Sequence, residues 1–142
     1  MPGPTIIIML RHAERETIGA DPSLTAAGRK RALLLARMLQ DAGVTAIFTS
    51  DARRTKETAA PLVAQTHLTP VELTGTNFAA HKASVLAVSS GTVVVIGHTN
   101  TVPPLIAALG AGTPVILESE FDRLFVVTRS IAGDVKLLAL RY

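Results

Sequence analysis

The 142-residue chain contains no cysteine. Disulfides, thiolate nucleophiles and cysteine-ligated metals are therefore excluded, but the compartment is not decided, because a cysteine-free chain survives in either redox setting. Long apolar runs are also missing. Hydrophobic residues make up 48% of the chain, yet no stretch approaches the roughly 20 apolar residues of a spanning helix, so a soluble protein without a membrane partner is expected. Aromatics are scarce, and Phe48, Phe78, Phe121, Phe125 and Tyr142 all lie outside the basic clusters. Proteins that grip nucleic acid interleave cations with stacking rings, so no nucleic acid is expected as a partner. Residues 1–5 lack the charged-then-apolar pattern of a secretory signal, which makes the cytoplasm the simplest reading. The sequence also has no His-Glu-x-x-His spacing, no glycine-lysine phosphate loop and no Gly-x-Ser-x-Gly elbow.

The length suits one domain, residues 1–142, with room for a real core. The net charge of +3 favours acidic partners without requiring them. β-branched runs at 6–10, 44–49 and 92–96 read as strands, the last uniformly apolar and so central. Residues 71–73 form a weaker strand. Helices are expected from Ser23 or Thr25 to about Asp41, from a Ser50 or Asp51 cap through Pro61, over 79–89, and over 101–109. Pro61 should kink the second helix, whereas Pro103 and Pro104 fit the first turn of the fourth. Strands at 124–128 and 135–140 join through Ala132-Gly133-Asp134. Four strand–helix alternations followed by a hairpin imply a three-layer α/β/α fold, with a mostly parallel sheet and an antiparallel edge.

Chemistry-bearing residues cluster at three strand ends. Arg11 and His12 leave the first strand together, where a guanidinium can clamp a phosphate bidentately while a neutral imidazole faces it. Such an imidazole attacks phosphorus only if its far nitrogen donates elsewhere, for example to a backbone carbonyl. Arg53 and Arg54 follow the second strand at a helix start, where a cation opposes the macrodipole unless an anion gathers it. Gly97-His98-Thr99-Asn100 lies between the strongest strand and a helix start, and reads as an anion cradle that Gly97 opens to close approach. His67 and His81 lack such context and read as structural or solvated. Two histidines with Glu14 could also hold zinc, but Arg11 and Arg54 would set positive charge against a dication, so no metal is expected.

Arg11-His12, the Leu24-Thr25-Ala26-Ala27-Gly28 helix opening, the 50–59 segment with its arginine, and Gly97-His98 occur in this order. With them the chain resembles the histidine phosphatase superfamily, whose other well-known branch is the cofactor-dependent phosphoglycerate mutases. Its Ala13-Glu14 variant and short middle segment are similar to small bacterial phosphohistidine phosphatases. The resemblance implies a phosphoglycerate-mutase-like fold and a phosphohistidine on His12. Arg11, Arg54 and His98, the last as a cation, would surround the phosphoryl group, with Thr99 and Asn100 beside it. Arg54 rather than Arg53 aligns with the family arginine counted from Ser50 and from Thr58-Ala59. It also implies a phosphomonoester or phosphohistidine substrate, carried by a small molecule or a phosphoprotein, with no cofactor. The family carboxylate from the middle insert is missing, because 71–92 holds only Glu72. Glu14 is the first candidate for proton donor, then Glu118, Glu120 and Asp122. The short middle segment has little to close over the site, which favours hydrolysis over phosphoryl transfer. A phosphate-binding module without turnover is the alternative.

Overall fold

The structure, a computed structural model, describes residue 4 and residues 6–142; the rest of the 1–5 segment, on which the reading of the chain's start was made, lies outside the described residues. β-branched runs form the strands β1 (Ile6–Arg11), β2 (Val44–Thr49) and β4 (Thr92–Gly97), and Val71–Glu72 forms the two-residue β3. β5 (Arg123–Arg129) and β6 (Val135–Arg141) form the closing hairpin. One sheet results, in the order β3-β2-β4-β1-β5-β6. β1 to β4 run parallel, whereas β5 is antiparallel to β1 and β6 to β5.

Alternation along the strands divides the core in two. Ile7, Met9, Val93, Val95, Phe125 and Val127 face α3 (Phe78–Leu86) and α4 (Val102–Ala108), meeting Val85, Leu105 and Ile106. Ile8, Leu10, Ile47, Val94 and Ile96 face α1 (Ala26–Met38) and α2 (Arg53–Thr66), meeting Leu35, Ala59 and Leu62. The sheet is thus sandwiched, as an apolar central strand requires, and each fully buried Leu or Ile contributes about 1.5–3 kcal/mol. The three-layer α/β/α fold with its antiparallel edge matches the expectation.

The helix boundaries differ from those expected at their ends. Thr25 caps α1 by accepting from Gly28 N, and the helix stops at Met38 rather than Asp41, with Leu39 as C-cap. Ala52 precedes α2 and supplies no side-chain cap. The expected cap Ser50 spends its hydroxyl elsewhere, as described below. α2 continues through Pro61 to Thr66. Asn77 caps α3 through Ala80 N, which starts that helix one residue early and leaves 87–89 outside it. Gly28 has a packing reason: a Cβ there would lie 2.1 Å from Glu14 O, so α1 can press on the loop after His12 only without one.

Candidate active site

The register of the sheet brings the two histidines together. Arg11 pairs with Gly97 across the parallel β1–β4 ladder, so the next residues, His12 and His98, leave adjacent strand ends at the same edge. Neighbouring strands lie about 4.8 Å apart, and the two rings sit with centroids 5.4 Å apart. Because β5 runs the other way, its entry segment, Glu118 to Asp122, arrives at this edge too. A cleft of about 290 Å³ opens there, lined by Arg11, His12, Arg54 and His98, with Thr99, Asn100, Arg15 and Glu118 beside them.

His12 is 3% exposed and firmly oriented. Its Nδ1 lies 2.8 Å from Ala13 O, and since a carbonyl only accepts, Nδ1 carries the proton and Nε2 holds the free lone pair. Burial pushes its pKa down to about 3, helped by Arg11, His98 and Arg54, although the Ala13 bond opposes the shift. The imidazole is therefore neutral over the physiological range. Arg11, 4% exposed, donates from Nη1 to Glu118 O and Glu120 O at 2.7 and 2.8 Å, and its guanidinium stacks 3.9 Å above the Phe121 ring. This fixes the fork.

His98 is held from the other side. Its Nε2 lies 2.8 Å from Ser50 Oγ, and Arg54 Nη2 makes a long 3.5 Å contact with Nδ1. A guanidinium can only donate, so Nδ1 accepts and Nε2–H donates to Ser50. The Ser50 hydroxyl then donates to Thr55 Oγ1 at 2.8 Å, and Thr55 in turn to Ala52 O at 2.9 Å. Burial first, then Arg54 and Arg11, lowers the His98 pKa to about 4. Burial and the two guanidiniums thus hold His98 neutral; the cationic form expected of it belongs to a site holding a dianion, which would raise that pKa again. The Nε groups of Arg11 and Arg54 are buried without an acceptor among the described residues, two of the four such side-chain atoms, the others being Thr49 Oγ1 and Tyr142 Oη.

Other expected features fall differently. Arg53 turns away, its Nε 2.8 Å from Glu57 Oε2, while Arg54 enters the cleft. Glu14 does not line the cleft. Its carboxylate is gripped by Arg31 through Nε and Nη2, both at 2.9 Å, and that hydrogen bond holds it ionised below the usual carboxylate range. A carboxylate so committed is a poor proton donor. Glu120 accepts from Leu117 N and pairs with Arg123 and Arg141, and Asp122 pairs with Arg141. Glu118 alone of these four lines the cleft; it is 80% exposed, accepts from Thr99 Oγ1 at 2.7 Å and touches Arg11 Nη2 at 3.4 Å.

The α4 start is not the amide cradle that was expected. The amides of Thr101 and Val102 both bond His98 O, and Pro103 and Pro104 have none to offer. Gly97 serves packing instead, because a Cβ there would meet Thr101 Oγ1 at 2.7 Å. His81 is structural, buried with Nε2 2.9 Å from Thr74 O, and His67 ends α2 in a left-handed conformation.

Three contributors escaped sequence reading. Phe121 backs both Arg11 and His12, at 6.1 Å from the His12 ring. Ser50 orients His98. Thr58, fully buried, accepts from Ala13 N at 2.9 Å and donates to Arg54 O at 2.7 Å, locking the chain after His12 to α2. Only Ser50 carries a signal in the sequence, as a polar residue at a strand end, where it reads as a helix cap.

Paired imidazoles and guanidiniums converging at one sheet edge form a site complementary to a tetrahedral oxyanion. The family model of the histidine phosphatase superfamily (branch 1) matches residues 7–76, just under half of the chain, and over that segment the chain is similar to that superfamily. No curated protein matches the chain in sequence. Among solved structures, the protein histidine phosphatase SixA complexed with tungstate is 21% identical, with 96% of each chain covered and a TM-score of 0.78. A mycobacterial glucosyl-3-phosphoglycerate phosphatase with inorganic phosphate is 16% identical over 97% of this chain and 96% of its own, with a TM-score of 0.69. Phosphoserine phosphatase from Entamoeba histolytica, in complex with 3-phosphoglyceric acid, is 14% identical over 97% of both chains, with a TM-score of 0.70. At these identities the likeness is one of fold.

Proposed function

We propose that the chain, acting as one domain, hydrolyses a phosphomonoester or phosphoramidate through a phosphohistidine on His12, without a metal. The observation that carries this reading is the tautomer of His12: Nδ1–H is spent on Ala13 O, and Nε2 is left bare in a cleft with two guanidiniums. Nε2 attacks phosphorus in line, forming the P–N bond as the bond to the leaving group breaks. Arg11 and Arg54 hold the equatorial oxygens, and His98 joins them once the dianion has raised its pKa and Nδ1 carries a proton. Thr99 and Asn100 lie beside the same group.

Glu118 is the proton donor in this scheme. Its proton goes to the leaving oxygen or nitrogen; the carboxylate then takes a proton from water as the water attacks phosphorus, the P–N bond breaks, and phosphate leaves with His12 neutral again. Its exposure suits an open cleft and a substrate that is a phosphorylated small molecule or a phosphoprotein side chain. No helix among the described residues is long and apolar enough to cross a membrane. A cytoplasmic setting without membrane or nucleic-acid partners completes the reading.

Incubating the protein with a labelled generic phosphomonoester and quenching in base, where phosphohistidine persists, tests it. Label should appear on wild type and vanish in His12→Ala. An intact ester and unlabelled protein would instead indicate a phosphate-binding module.

A further inference from the structure

Arg15 lines the cleft beside Arg11 and Arg54, yet the phosphoryl chemistry above leaves it unused. It is half-buried, and its one hydrogen bond runs from Nη1 to the neighbouring Glu16 O at 3.1 Å, with no carboxylate at ion-pair distance among the described residues. Several cations elsewhere are matched, Arg31 by Glu14, Arg53 by Glu57, Lys56 by Glu72 and Arg141 by Asp122; what sets Arg15 apart from the other unmatched cations is its place in the cleft. Its stem is fixed. Arg15 bridges Leu24, and Glu16 N bonds Ser23 O at 2.8 Å, so the guanidinium is presented from a pinned backbone rather than a loose loop. Burial lowers the pKa of Arg11, and Arg15 and Arg54 add to that shift while Glu118, the single carboxylate lining the cleft, opposes it, so three guanidiniums share one anion there. With Glu118 as the protonated acid of the proposed scheme, three guanidiniums and the His98 imidazolium face one phosphoryl dianion, and positive charge is left over.

We propose that Arg15 forms a second oxyanion subsite, which selects substrates whose leaving group carries a carboxylate or phosphate of its own. This rests on the phosphatase reading for where the transferred group sits. A guanidinium grips either oxyanion bidentately, whereas an uncharged leaving group gives it nothing to bind.

Non-hydrolysable phosphonates separate binding from turnover. Calorimetric titration should show 3-phosphonopropionate binding wild type about tenfold or more tighter than propylphosphonate, which differs by the carboxylate alone. Propane-1,3-bisphosphonate, used alongside, tells whether carboxylate or phosphate is preferred. Arg15→Gln should erase the advantage and leave propylphosphonate binding within about twofold. Arg15→Lys should keep part of it, and Arg29→Gln, a charge change on α1, should keep it whole. Equal affinities of wild type for the matched pair would overturn the subsite while leaving the phosphoryl site intact. So would an equal loss for both ligands in Arg15→Gln, which would make Arg15 a third clamp on the phosphoryl group. Failure of wild type to bind propylphosphonate at all would sink the phosphatase site, and the subsite with it.

Discussion

Two arginine–glutamate pairs reach the neighbourhood of His12, one through Glu14 just after it and one through Arg11 just before, and they are built differently. Glu14 and Arg31 meet through two 2.9 Å contacts, with side chains 26% and 21% exposed, and Arg31 also reaches Tyr142 O. Glu118 touches Arg11 once at 3.4 Å and is 80% exposed, while Arg11 is anchored by backbone carbonyls that no proton transfer can disturb. The first pair is closed and satisfied. In the second, the arginine is fixed while the carboxylate stands exposed at the cleft, held by Thr99 and one long contact to Arg11. The difference teaches that nearness to His12 in sequence is a poor guide to which carboxylate faces the cleft. What counts is which partners the fold brings to it.

The sharpest break of this comparison starts from the residue between the pairs. His12→Ala should lower turnover by about 10⁴-fold or more with the fold intact, read by steady-state kinetics and circular dichroism. Next, Glu118→Gln should cost about 10²- to 10³-fold in kcat with little loss of stability. Glu14→Gln should reverse that pattern, reducing unfolding free energy by about 1–3 kcal/mol in urea while kcat falls far less. If Glu14→Gln proves the more damaging to kcat, the assignment of roles fails.

A smaller effect concerns pH. His12 and His98 titrate near about 3 and about 4 when folded, against 6.5 ordinarily. Below about pH 6.5 the unfolded chain takes up protons that the native chain does not, so stability should fall as pH drops toward 4 and should carry no such penalty above 6.5. Urea midpoints across this window should fall less steeply in His98→Gln. Sulfate, a dianion throughout this range, should bind with proton uptake near pH 5–6, because it raises the His98 pKa, and calorimetry in buffers of different ionisation heat would detect it. The least effect belongs to Arg53→Ala, less than about twofold in kcat/KM and within about 0.5 kcal/mol in stability. Arg54→Ala should cost about 10²-fold or more in kcat/KM. Comparable losses in the two would mean that the paired arginines share the clamp.

Much of this arrangement could be read before any coordinates. Alternating apolar runs gave the strand–helix order, because a buried strand and a one-faced helix leave distinct periodicities. The placement of Arg11, His12 and His98 at strand ends followed from the runs that precede them. Glu118 stood second among the proposed acids, and what raised it was the partner of Glu14: Arg31, seventeen residues away, is a neighbour only once α1 packs on the loop, which Gly28 permits. The amide cradle at α4 failed for a similar reason, since one sequence cannot say that Thr101 and Val102 turn their amides to His98 O.

By itself the sequence determined the layers, the strand ends and the kinds of side chain delivered there, because local propensity and burial pattern are properties of neighbours along the chain. Tertiary structure alone decided which lone pairs and charges remain free: the Ala13 carbonyl that sets the His12 tautomer, the Ser50 hydroxyl on His98, and the split between Glu14 and Glu118. Hydrogen bonds and ion pairs fall off within a few ångströms. Their outcome depends on residues that meet only after the sheet has closed.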